Sequence, residues 1–199
     1  MKKYVVIVMI LLALMAGTRS ALAQKGLYIG AGLGHASVGG DIGDNYGGGP
    51  GYHFLLGFKA TEKTGFELEF GGYALDAKND GTVVDEAGYG GIQANFKHFL
   101  GPRRERPFRP YVVAGLGLNA FVWKYKDTAP VRDKEDGVGA LAVVPGIGFE
   151  LMVGRIAALN LCGRYAWNMW GEETGDGVHV DDEFSGNGVV INAGLILHL

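Results

Sequence analysis

The sequence predicts an all-β chain that closes into an eight-stranded antiparallel up-and-down transmembrane β-barrel. Three observations carry this. Apolar residues alternate with period two in eight segments of about ten residues, the length a tilted strand needs to cross a bilayer. Glycine is in large excess, 35 of 199 residues with no G-X-Y period, more than double its usual share of about 7%. Cys162 is the single cysteine, so no internal disulfide can hold the fold. A glycine-rich sheet without staples must then be stabilised by closure or by a membrane.

Residues 1–23 stand apart. Lys2 and Lys3 precede the apolar run Tyr4 to Ala16, and Ala21-Leu22-Ala23 follows. This is the pattern of a secretory signal peptide, with cleavage expected between Ala23 and Gln24. The apolar run is short for a spanning helix. Removing those 23 of 199 residues, which include Lys2, Lys3 and Arg19, leaves 176 in one domain, 24–199, with 15 Lys+Arg against 21 Asp+Glu. A net charge of −6 gives no footing for nucleic acid.

The strands are expected near 26–36, 51–60, 64–75, 88–100, 109–123, 138–152, 156–169 and 187–199. The first carries Leu27, Ile29, Ala31 and Leu33 on one face. The second continues that face with Tyr52, Phe54, Leu56 and Phe58, and the third with Phe66, Leu68 and Phe70. Ile92, Ala94 and Phe96 mark the fourth strand; Val112, Ala114, Leu116 and Leu118 mark the fifth. Leu141, Val143, Ile147 and Phe149 belong to the sixth, Leu159, Leu161, Tyr165 and Trp167 to the seventh. Val189, Ile191, Ala193, Leu195, Leu197 and Leu199 complete the eighth.

Connections alternate in length. "TEK", "GPRRERPF" and the residues around "VGR" are short, whereas 37–50, 76–87, 124–137 and 170–186 are long. Such alternation describes a meander with both termini at the short-turn rim. Charge sorts the same way. The short-turn rim carries Lys25, Lys59, Lys63, Arg103, Arg104, Arg106, Arg109 and Arg155 against Glu62 and Glu105, a balance of +6, and the long loops balance to −11.

The second face of the strands is glycine with scattered polar groups: Gly57, Gly115, Gly146 and Gly148 among the former, Gln93, Asn95, Asn119, Asn160 and Asn192 among the latter. A solvated surface is normally dense in charge, and this face is not. It suits the lumen of a narrow barrel, which side chains fill. The apolar face then meets lipid while closure satisfies the backbone.

"LYIGAGLG", "GFELEFGGY", "RPYVVAGLGLN", "VPGIGFEL" and the terminal "GVVINAGLILHL" occur in this order. On these motifs the chain resembles the small eight-stranded outer-membrane barrels, the transmembrane domain of outer-membrane protein A and the opacity-type surface antigens. The resemblance covers the whole of 24–199. It departs at the end, where Leu199 stands in place of the family's usual terminal aromatic, part of the signal read by the barrel assembly machinery. The resemblance implies an outer-membrane location in a Gram-negative cell envelope, termini on the periplasmic side, contact with outer-membrane lipid and lipopolysaccharide, and a porin-like or surface-antigen role.

The resemblance also implies an interior acid–base network. Glu67 and Glu69 on the third strand, Lys97 on the fourth, Glu150 on the sixth and Arg164 on the seventh are the residues expected to form it. Buried charges need partners. Three acids against two bases leave one charge over, for which a water or a protonated carboxyl is expected. The network reads either as a plug that holds the barrel closed or as a gate for a narrow channel carrying small or apolar solutes.

Other signals carry less. "HAS" places His35 and Ser37 on one strand face, and small outer-membrane lipid A deacylases use a His-x-Ser pair with a glutamate. The surrounding sequence and late chain position of that family are absent here, so a lipid A-modifying hydrolase ranks third and no catalysis is expected. "GAGLG" lies inside a strand rather than opening a helix, which argues against a nucleotide site. Cys162 has lumen parity and is expected as a buried free thiol. His53, His98, His179 and His198 show no metal-ligand spacing. The fourth long loop collects Glu172, Glu173, Asp176, Asp181, Asp182 and Glu183 without a Lys or Arg, a weak candidate for divalent cations. No cofactor is expected, and the chain is expected to be a monomer.

Overall fold

The computed structural model describes residues 26–78, 84–101, 107–125, 135–170 and 186–199. The expected signal peptide and cleavage site and the six acids of the fourth loop lie outside these. The strands are β1 (Gly26–Val38), β2 (Gly49–Lys59), β3 (Thr64–Leu75), β4 (Val84–Phe99), β5 (Phe108–Tyr125), β6 (Glu135–Met152), β7 (Ala157–Trp170) and β8 (Gly188–His198), with a short helix α1 (Gly40–Asn45) after β1. They form one closed barrel in sequence order. Every pair is antiparallel, and β8 returns to β1 from Tyr28↔His198 to Val38↔Gly188.

β4, β5 and β6 run to 16, 18 and 18 residues, well into segments whose sequence reads as loop. The reason is physical. Backbone pairing continues for as long as partners face each other, whereas apolar alternation is imposed only where the outer face meets lipid. Lys124, paired with Glu86, belongs to this polar extension.

α1 is equally invisible in "GDIGDN", which has no helical apolar period. Its N-terminus lacks a side-chain cap, and tertiary contacts hold it. Gly39 N–H donates to Asn187 O at 2.8 Å, Gly47 N–H to Asp76 O at 2.7 Å, and Lys78 N–H to Asn45 O at 3.0 Å. Gly40 enters the turn at φ 66, a left-handed conformation natural to glycine. Ile42 and Tyr46 are thereby buried in a cluster with Val38, Leu75, Phe121, Val138 and Val190. That apolar cap lies at the long-loop end of the lumen.

The apolar face points outward, as its parity predicts. Leu116, Leu118, Ile147 and Trp167 are 61%, 62%, 69% and 63% exposed, whereas Glu67, Lys97, Glu150 and Arg164 are buried. The glycine excess acquires a cause from the register. Tyr28 lies opposite Gly57, Tyr111 opposite Gly148, Arg164 opposite Gly146 and Asn192 opposite Gly34. A Cβ on Gly148 would stand 2.6 Å from Cζ of Tyr111, so the ring lies flat across the neighbouring strand only because no side chain is there. Pro145 has no N–H, and the β6–β7 ladder skips from Val143↔Trp167 to Gly146↔Arg164 without losing register.

Candidate functional site

Successive residues of a strand face opposite sides, so Glu67 and Glu69 enter the lumen together while Phe66, Leu68 and Phe70 leave it. β4 pairs beside β3 with Gly65↔Lys97, which places Lys97 diagonally next to Glu67, and the two form an ion pair. Lys97 also reaches Glu150 Oε1 on β6, at 3.4 Å. Arg164 on β7 ion-pairs with Glu69 and lies 3.8 Å from Glu67. All five residues expected in an interior network are thus brought together, in the order Glu150, Lys97, Glu67, Arg164, Glu69.

The network is larger than the sequence suggested. Lys59 and Arg109, placed at the short-turn rim from sequence, are buried in the lumen at 2% and 3% exposure. Lys59 Nζ donates to Glu150 Oε2 at 3.1 Å and Arg109 Nη1 to the same oxygen at 3.4 Å. Both carried a detectable signal. Lys59 shares parity with Gly57, and Arg109 with Gly115, each two-residue step keeping the same face. The rim balance falls from +6 to +4, and the interior becomes four bases, Lys59, Lys97, Arg109 and Arg164, against Glu67, Glu69 and Glu150. The expected surplus acid is therefore replaced by a surplus base.

His198 also joins, 3.7 Å from Glu150 Oε2 and 3.3 Å from Lys59 Nζ. Glu150 is the hub of this layer. Tyr28 Oη donates to Glu67 Oε1 at 2.9 Å, Asn192 Nδ2 to Glu69 Oε1 at 3.2 Å, and Arg164 Nη1 to Gln93 Oε1 at 3.4 Å.

Rings supply what water would otherwise give the cations. The Phe99 ring centroid lies 3.9 Å from the Arg109 guanidinium carbon and 4.9 Å from Lys59 Nζ, and the Tyr111 centroid lies 4.2 Å from Lys97 Nζ. The negative face of an aromatic ring attracts a desolvated cation. Cys162 is a buried free thiol in a small apolar cluster with Phe99, Tyr111 and Val113. Further along the lumen the charges give way to amides and phenols. Asn119 Nδ2 donates to Tyr89 Oη and to Asn168 Oδ1, both at 2.8 Å, and Asn168 Nδ2 donates to Gly186 O at 2.7 Å.

His35 and Ser37 are exposed on the outer wall. His35 lies between Pro50 of β2 and Ile191 of β8 in the register, with no carboxylate at either position. The third-ranked hydrolase reading therefore lacks its glutamate in the register.

The eight strands close into one antiparallel barrel with an apolar outer wall, an architecture shared with known proteins. Residues 6–198 match the family model described as outer membrane protein beta-barrel domain. The chain belongs to this family. Its location is accordingly the outer membrane. Neisserial surface protein A shares the fold at TM-score 0.64 with 15% identity, over 87% of this chain and 97% of that one. The attachment invasion locus protein of Yersinia pestis does so at 0.54 with 12% identity, over 87% and 98%. The outer membrane protein OprG from Pseudomonas aeruginosa follows at 0.52 with 16% identity, over 88% and 98%. At these identities the likeness is one of fold. No curated protein matches the chain in sequence.

Proposed function

We propose that this outer-membrane barrel is a non-conducting surface protein. Its lumen serves as a polar plug, its termini lie on the periplasmic side, and its acidic long loops meet the exterior. The observation that carries this reading is the ladder of ion pairs through the lumen, topped by the apolar cap of Ile42, Tyr46 and Phe121. A narrow eight-stranded lumen filled by side chains leaves no continuous path for water. Conductance in planar bilayers tests it. Wild type and Arg164→Ala are both expected to be silent, with the variant unfolding more readily. Unitary steps from wild type would overturn the proposal.

A gated channel is the second reading. It is favoured by one observation, that Arg164 reaches both Glu67 and Glu69, so a change of partner needs little movement. Steps that appear only in Arg164→Ala would support it. Catalysis forms no part of the proposal, and an altered lipid A acyl count after overexpression would contradict that.

For the surface role, charge is the guide. The Yersinia protein has been solved in complex with the heparin analogue sucrose octasulfate. Long loops that balance to −11 repel such a polyanion and favour cationic partners, including divalent cations that bridge to lipopolysaccharide phosphates. Calcium titration by calorimetry, with and without the six acids of the fourth loop, checks the cation part.

A further inference from the structure

Between the ion-pair ladder and the amide layer lies a cavity of about 20 Å³, lined among others by Glu69, Gln93, Asn119, Arg164, Tyr73 and Tyr89. Arg164 is 5% exposed, and its Nε has no hydrogen-bond partner. A buried guanidinium N–H without an acceptor is costly. The volume exceeds the roughly 10–15 Å³ that a water requires, and a buried water needs two to four polar partners.

We propose that this cavity is a binding site for a single water molecule, held by Arg164 Nε–H as donor and by the oxygens of the surrounding side chains as acceptors. An ion fits less well, because Glu69 is already paired with Arg164, so the wall carries no uncompensated charge. The water joins two networks, the Arg164–Glu69 pair and the Tyr89–Asn119–Asn168 cluster. Its wall shares Tyr73, Tyr89 and Val190 with the apolar cluster of Ile42, Tyr46 and Phe121, so the cavity lies directly against the apolar cap.

The test uses the chain refolded in detergent micelles and labelled with ¹⁵N. Water–protein cross-relaxation is read at Arg164 Nε–H and at the Gly91 backbone N–H, which also lines the cavity. A cross-peak at Gly91 with the sign of a long-lived water is expected; silence at both positions overturns the site. Ala166→Val fills the void from an apolar wall position. It is expected to abolish the Gly91 cross-peak and lower the melting temperature, since the arginine N–H loses its acceptor. A rise in melting temperature would mean that the void was dry, and a cross-peak kept in the variant would place the water elsewhere; either result overturns the proposal. If the variant does not fold, the wild-type spectrum alone decides.

Discussion

Lys59 Nζ lies 3.1 Å from Glu150 Oε2 across the lumen, 91 positions away in sequence. The same carboxylate faces Lys97, Arg109 and His198. One acid thus stands among several bases, and its removal leaves them facing each other. Glu150→Ala is expected to destabilise the barrel by about 3–5 kcal/mol, the cost of leaving a buried charge unpartnered. Urea titration in lipid vesicles reads this. Lys59→Met added to Glu150→Ala should recover part of the loss, and additive losses would show that the pair is not coupled.

The burial of the ladder sets its response to salt. Raising ionic strength from about 0.1 to 1 M shortens the Debye length from about 10 to about 3 Å, which screens exposed pairs far more than buried ones. The destabilisation by Glu150→Ala should therefore be nearly the same at both salt concentrations. A loss that shrinks in high salt would place these charges in contact with solvent.

Tyr111 and Gly148 interlock, so steric substitution on either side has a defined sign. Gly148→Ala forces the ring to move and is expected to cost about 1–3 kcal/mol, the usual range for overpacking. Tyr111→Leu in the same chain should relieve part of that strain, because two of the three atoms nearest the new Cβ are Cζ and Oη of the tyrosine, the third being the backbone oxygen of Leu161. A double variant no better than the sum of its parts would argue against the interlock.

The outer wall is tested at Leu116, 61% exposed in the lipid-facing row. Leu116→Arg is expected to cost about 2–4 kcal/mol near the bilayer midplane. Leu116→Ile, equally apolar, should cost far less. Equal losses from both would mean that the position senses packing rather than lipid.

Much of the architecture was legible because two rules act on every residue of a spanning strand: alternation fixes the face, and lipid fixes which face is apolar. Glu67, Glu69, Lys97, Glu150 and Arg164 were therefore assignable to the lumen. Lys59 and Arg109 were not, because each lies at or one residue from a strand end, where a charge ordinarily marks a rim. Their long stems let the heads turn back into the barrel. The lumen rings escaped for a different reason. Tyr28 and Tyr111 share parity with glycines, but only the pairing register shows that each ring occupies space an opposite glycine leaves open. α1 could not be read at all, since Asn45 and the flanking Gly39 and Gly47 are held by partners at Lys78, Asn187 and Asp76.

The ladder draws its members from seven of the eight strands, and His198 meets Lys59 across 139 positions. No partly zipped sheet can contain it, for a sheet has no inside until β8 finds β1. The cross-lumen contacts, Lys59–Glu150 and Arg164–Glu69, need that closure, and interactions made only after a transition state leave folding rate unchanged while slowing escape from the native state. The charges inside this barrel therefore act on its lifetime in the membrane, as a latch that engages only once the circle is complete.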